Sequence, residues 1–196
     1  MLNQSVGRFL VVVLVALPIS GHCEKLDEAL LLTSKSLGPL PLGKGTLVSE
    51  STLKKLFPNS SVTHDIRSGD SPDFHYFEVK DNGGEVLFTI QSFIKDSKGQ
   101  NENPAGVRID LLQIRSSRIR DAYGIRVGNR VQDIIKQRGK DLRFGAGHHD
   151  VYLGADNIFY NIRTTSQGSP ENLTLDDAVR GNWQIISISW PSAAWE

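Results

Sequence analysis

The residues of this chain best suited to chemistry are its histidines. His148, His149 and Asp150 follow Gly145-Ala146-Gly147, and two imidazoles beside a carboxylate are donors that transition metals accept. Adjacent residues of a strand point to opposite faces, so the three converge on an ion only where the glycines bend the chain; otherwise they are exposed loop residues. His64 and His75 stand apart from them and from each other. Nucleophilic catalysis has less to draw on, because the single cysteine is Cys23 and no Gly-x-Ser-x-Gly elbow occurs. Gly38 to Gly45 has the spacing of a phosphate-binding loop, but Gly45 stands where the magnesium-binding hydroxyl belongs, and Pro39 and Pro41 remove amide donors. Asp176 and Asp177 form an acidic pair with no second group placed opposite it, and read as the acidic start of a helical turn.

The elements that must position these groups centre on Asp121 to Gly139. Asn129 is the expected N-cap, with Gln132 reaching back to it; Val131, Ile134 and Ile135 form one apolar face, and Gly139 stops the helix. The same order precedes it. Thr46-Leu47-Val48 reads as a strand, Ser49 as a cap, and Leu53, Leu56 and Phe57 repeat the 0, 3, 4 spacing before Pro58. Each helix is followed by β-branched and aromatic runs: 61–66, 74–80, 85–91 and 107–115 after the first, then 141–144, 150–153, 157–162 and 184–190 after the second. Ala155-Asp156 reads as a hairpin turn, and Ile186, Ile188 and Trp190 alternate with Ser187 and Ser189 as in a sheet with one wet face.

The fold class predicted is α+β: two strand-helix-antiparallel-strand units, about 45–115 and 120–190, forming a mainly antiparallel sheet with short helices packed on one side. They make one domain, 45–196. Residues 24–44 are read as a lead-in helix, from Glu24 to Ser36, and a Pro/Gly linker.

At 196 residues, 39% hydrophobic and 22% charged, the chain is long enough to bury a sizeable core. Its 22 Lys+Arg balance 22 Asp+Glu, so no global field draws in nucleic acid. The arginines at 108, 115, 118, 120 and 126 have no interleaved aromatics for base stacking and read as a solvated strand edge. Residues 1–23 read as a signal peptide: Arg8 lies in the leading segment, and Phe9 to Ile19 is an apolar run of 11 residues, against the roughly 20 that span a bilayer. Cys23 at its end is a candidate for lipidation, although His22 occupies the place where lipoproteins carry a small residue.

Phe77-Glu78-Val79, Ile114-Arg115-Ser116-Ser117-Arg118-Ile119 leading into Gly124-Ile125-Arg126-Val127-Gly128, then Gly168-Ser169-Pro170, Asp176-Asp177 and Asn182-Trp183 before Ile188 and Trp190 form an ordered set. In that set the chain resembles the sigma-E (RpoE)-regulated envelope lipoprotein family typified by YfeY, from about Gly45 to Trp190. The resemblance implies a place, the bacterial periplasm or the outer membrane through a lipid anchor, and carries over no catalytic residues.

The function expected is that of a secreted envelope protein, a non-catalytic binding or envelope-stress-associated module without cofactor. Its partner would be an envelope protein, a peptide or an envelope component, and not nucleic acid. Contact would run through one sheet face or the 163–181 loop with Asp176, Asp177, Trp183 and Trp195. The alternative is a metal-dependent hydrolase using the 145–150 segment.

Overall fold

A computed structural model of the chain describes residues 30–68, 72–94, 106–146, 151–163 and 172–190. The first half contains β1 (Leu31–Leu32), β2 (Ser36–Leu37), β3 (Leu40–Pro41), β4 (Leu47–Val48), helix α1 (Glu50–Leu56), β5 (Ser60–Arg67), β6 (Phe74–Asp81), β7 (Val86–Phe93), β8 (Val107–Arg108) and β9 (Leu111–Ile114). The second half contains β10 (Arg120–Asp121), α2 (Val131–Arg138), a single 3₁₀ turn, β11 (Arg143–Ala146), β12 (Val151–Ala155), β13 (Ile158–Arg163), α3 (Leu175–Arg180) and β14 (Gln184–Trp190). The chain is β-rich, with mostly antiparallel pairing and few, short helices.

Eight strands form the main sheet, in the order β11-β12-β13-β14-β9-β7-β6-β5, every neighbouring pair antiparallel. The four strands after α1 occupy one side of the sheet, the four after α2 occupy the other, and β9 and β14 join them. Register aligns the apolar residues in rows. Val79, Phe88, Ile114, Ile188, Tyr160 and Leu153 face one another in succession across six strands, and all are essentially buried. Such cross-strand neighbours are the unit of sheet stabilisation.

Both longer helices lie on the side of this row. Ser49 caps α1 by accepting the Thr52 amide at 3.2 Å, Leu53 is fully buried, and the Phe57 ring meets Phe88 edge-on at 5.1 Å. In α2, Val131 and Ile134 are buried, and Arg138 reaches the hydroxyl of Tyr160. Gly139 ends α2 at a φ of 72°, which only glycine adopts freely, with its N–H on Ile135 O.

Five local expectations need correction. Leu31 to Ser36 is not helical: Thr33 N donates to Ser36 O at 2.8 Å and Ser36 N to Thr33 Oγ1 at 2.9 Å, closing a turn between β1 and β2. Local hydroxyl bonds of this kind compete with helix. The Pro/Gly stretch is not a free linker either, because Leu40 and Pro41 pair with β2 as strand β3 and Leu40 and Leu42 are buried. The cap of α2 is Arg130, whose N–H meets the Asp133 carboxylate at 3.3 Å, while Asn129 Oδ1 instead accepts the Arg126 amide in the preceding turn. Finally, a bulge opposite Asn161 and Ile162 makes Ile186 the extra residue, so Ile185 is buried and Ile186 is 40% exposed. The hairpin turn of the second half is Asp156-Asn157, both at positive φ, one residue later than expected.

Candidate functional site

The side of the main sheet turned away from α1 and α2 is built from the residues between the buried ones. Glu78, Thr89, Gln113, Ser189 and Phe159 face one another across five strands. At its centre Asn161 Nδ2 donates to Ser187 Oγ at 2.9 Å and Ser189 Oγ at 2.7 Å, and Gln113 Nε2 donates to Ser187 Oγ at 3.1 Å. The serines, expected to be wet, are buried, and so is Thr89. Their hydroxyls form a polar floor between taller, half-buried Tyr76, Gln91, Tyr152 and Phe159.

Aromatic and cationic groups flank the floor. The Arg67 guanidinium lies 3.4 Å above the Tyr76 ring, and Phe74 meets Phe93 edge-on at 6.2 Å. On the other side Phe159 and Tyr152 pack edge-to-face at 5.0 Å. A Cβ on Gly154 would come within 2.9 Å of Phe159 Cε1, so the glycine is what lets the ring lie across its strand.

The strongest electrostatic arrangement is buried under α2. Asp121 at the end of β10, Arg138 at the end of α2 and Tyr160 in β13 converge: Arg138 Nη1 donates to the Tyr160 hydroxyl at 2.9 Å, which donates to Asp121 Oδ2 at 2.5 Å. Arg138 Nη2 also donates to Asp156 Oδ2 at 2.5 Å, and the guanidinium sits 4.1 Å from the Tyr123 ring centre. The other Asp121 oxygen accepts the Tyr123 and Ile125 amides, each at 2.8 Å. Burial, then the Asp121 carboxylate, pushes the Tyr160 phenol far up, so it stays a neutral donor. Burial opposes charge on Arg138, but Tyr160, Tyr123 and Asp156 together raise its pKa. Each polar atom here has its partner, which is the signature of a structural clamp.

Sequence reading passed over a second pair. His64 Nε2 and His75 Nδ1 lie 3.1 Å apart on neighbouring strands, and the His64 ring is stacked on Phe77 at 4.3 Å and 9°. The signal was present as two histidines in strand segments, but only the register of the hairpin joins them.

Of the residues singled out by sequence, His148, His149, Asp150, Trp195 and Cys23 lie outside the described residues. Trp183 is not a surface residue: at 3% exposure it seals the start of β14, where its carbonyl accepts the Val131 amide at 3.0 Å. Asp176 is exposed, whereas Asp177 closes a capping box with Thr174, accepting the Thr174 amide at 3.0 Å and its hydroxyl at 2.6 Å. Lys44 precedes strand β4 and not a helix N-terminus, so the loop before it lacks the frame of a phosphate site. Among the arginines, Arg118 pairs with Asp81.

The Thr174 hydroxyl and amide hold the Asp177 carboxyl below its usual range, with Arg180 helping. Asp177→Lys is therefore expected to lower the melting temperature by roughly 2–4 °C, while Asp176→Lys leaves it unchanged. The contribution of Asp177 is complete above its unfolded pKa and lost as pH falls through the lowered folded value. The difference between wild type and Asp177→Asn should accordingly fade in acid, which thermal melts across a pH series would check.

Neither a protein-family model nor a curated protein sequence matches the chain. A solved structure does: the uncharacterised protein YfeY of Escherichia coli, at 17% identity with a TM-score of 0.56, over 82% of this chain and 99% of that one. The likeness is one of fold. Among the described residues no helix is long and apolar enough to cross a membrane, and no group of three or more His, Cys, Asp or Glu side chains could hold a metal ion.

Proposed function

We propose that the protein acts by binding, with the polar side of the eight-stranded sheet as its contact surface and a folded protein of the bacterial envelope as its partner. What carries this reading is the juxtaposition of a satisfied Ser/Thr/Asn/Gln floor with Tyr76, Arg67, Tyr152 and Phe159, since Tyr, Phe and Arg are the residues enriched at interfaces. Size favours a folded partner over a peptide. Eight strands about 4.8 Å apart span roughly 34 Å, a width that a single extended peptide does not cover.

The envelope assignment rests on the apolar run from Phe9 to Ile19; membership of the sigma-E-regulated lipoprotein family and anchoring through Cys23 belong to the same proposal. The reading of the chain as one strand-helix-strand unit used twice is likewise proposed. It is supported by the strand order, in which the last strands of the two halves pair with each other.

The test is photo-crosslinking in cells followed by capture from envelope fractions, with probes at Gln91, Tyr76 and Tyr152 and a control probe at Glu50, which lies on α1. One partner should crosslink from the sheet positions and not from Glu50, and Gln91→Arg, at a half-buried position on the same face, should reduce its capture at least tenfold with an unchanged melting temperature. Crosslinks at Glu50 alone, or full capture by Gln91→Arg, would overturn the assignment of this face.

A further inference from the structure

The geometry points to a transition-metal site formed by His64 and His75, a cross-strand chelate that takes a divalent ion such as Zn²⁺ or Ni²⁺. The two ring nitrogens are 3.1 Å apart and face each other. Metal–imidazole bonds of about 2.0–2.1 Å place two nitrogens of one ion roughly 2.8 Å apart at a right angle and about 3.3 Å apart in a tetrahedron. The observed separation lies between those limits, so an ion can take the place of the proton between the rings if the two imidazoles, now 21° from parallel, turn toward a common point without moving apart. Imidazole is also the ligand type common to Zn, Ni and Cu.

The surroundings hold the pair in that arrangement. His64 and Phe77 are directly opposed in register, as are Ile66 and His75, so all four side chains share one face of the β5–β6 hairpin. Phe77 supports the His64 ring from below, and His75 is 6% exposed, so neither ring is free to swing away. Access comes from the edge: among the described residues β5 is the outermost strand of the sheet, His64 is half-buried, and Ile66 beside it is 54% exposed. Water completes the coordination from that side. Two protein ligands with open positions make this a site of modest affinity, distinct from closed four-ligand structural zinc.

The experiment titrates the untagged protein with ZnCl₂, and separately with NiCl₂, by calorimetry and by long-range ¹H–¹⁵N spectra of the imidazoles. One ion per chain should bind, with the largest ring-nitrogen shifts at His64 Nε2 and His75 Nδ1. His64→Gln, at a half-exposed position, should weaken binding at least tenfold while its apo melting temperature stays within a few degrees. The double variant His148→Gln/His149→Gln should bind as wild type does. Undiminished binding by His64→Gln, loss of binding in the His148/His149 variant, or no saturable binding by wild type would each overturn the site. His75→Gln offers a second check through the ring shifts of His64, which should no longer respond to the ion.

Discussion

Arg138→Ala is expected to lower the free energy of unfolding by about 3–5 kcal/mol, the range for removing one partner of a buried ion pair. The side chain of Arg138 is 2% exposed and that of Asp121 not at all, and their charged atoms lie 3.9 Å apart with Tyr160 between them. Taking away the guanidinium leaves a carboxylate in the core with only two amides and a phenol for solvation. The salt link from Arg138 to Asp156 adds little to this figure, because Asp156 is 63% exposed. The measurement is a urea or guanidinium midpoint, with Asp156→Asn, which keeps a residue tolerant of the positive φ at that position, as the comparison that should cost roughly 1 kcal/mol or less. The double change Arg138→Met/Asp121→Asn should recover part of the loss, since a buried pair replaced as a whole is far less costly than one broken. A single-variant loss below about 1 kcal/mol would show that Asp121 is reached by water, and the clamp would not be a structural one.

Ile134→Ala is expected to cost about 2–5 kcal/mol, as does removal of a large side chain from a site that cannot collapse. The 0, 3, 4 spacing matches Leu53 to Val131, but counted from the helix starts at Glu50 and Val131 it is Ile134 that corresponds to Leu53: each is the fourth residue of its helix and completely buried. Leu53→Ala should therefore fall in the same range if the two halves are one unit used twice. Denaturant midpoints of the two variants, read at constant slope, make the comparison. A midpoint unmoved by Ile134→Ala would mean that the face of α2 carries no packing. Costs that differ by more than about 3 kcal/mol would separate the two halves energetically.

Much of the framework was legible because period-two and period-four patterns are local properties of a chain. Strands at 74–81, 86–93, 151–155 and 158–163 lie within a residue or two of the apolar runs that announced them, and Ser49 caps α1 as its hydroxyl suggested. The segment 31–41 was not legible. Its strands are two residues long, and what holds them is remote: β1 pairs with β10, and Trp190 reaches Ser34 across 156 positions. Ile186 escaped for a related reason, since a bulge moves one residue and reverses every inside-outside assignment beyond it.

For the candidate sites the division is sharper. Residue types alone supplied the leader-like apolar run, the lack of a cysteine beyond Cys23, the charge balance and the acidic cap of α3. Those features depend on composition or on neighbours within one turn, and they need no partner from elsewhere in the chain. That His64 meets His75, that Asp121, Arg138 and Tyr160 close one clamp, and that Gln113, Ser187 and Asn161 make one polar floor was decided by tertiary structure alone. Each of these joins residues from different elements, and which ones meet depends on strand register and helix placement. Those are set by burial of the whole apolar row from Val79 to Leu153 and not by any short stretch of sequence.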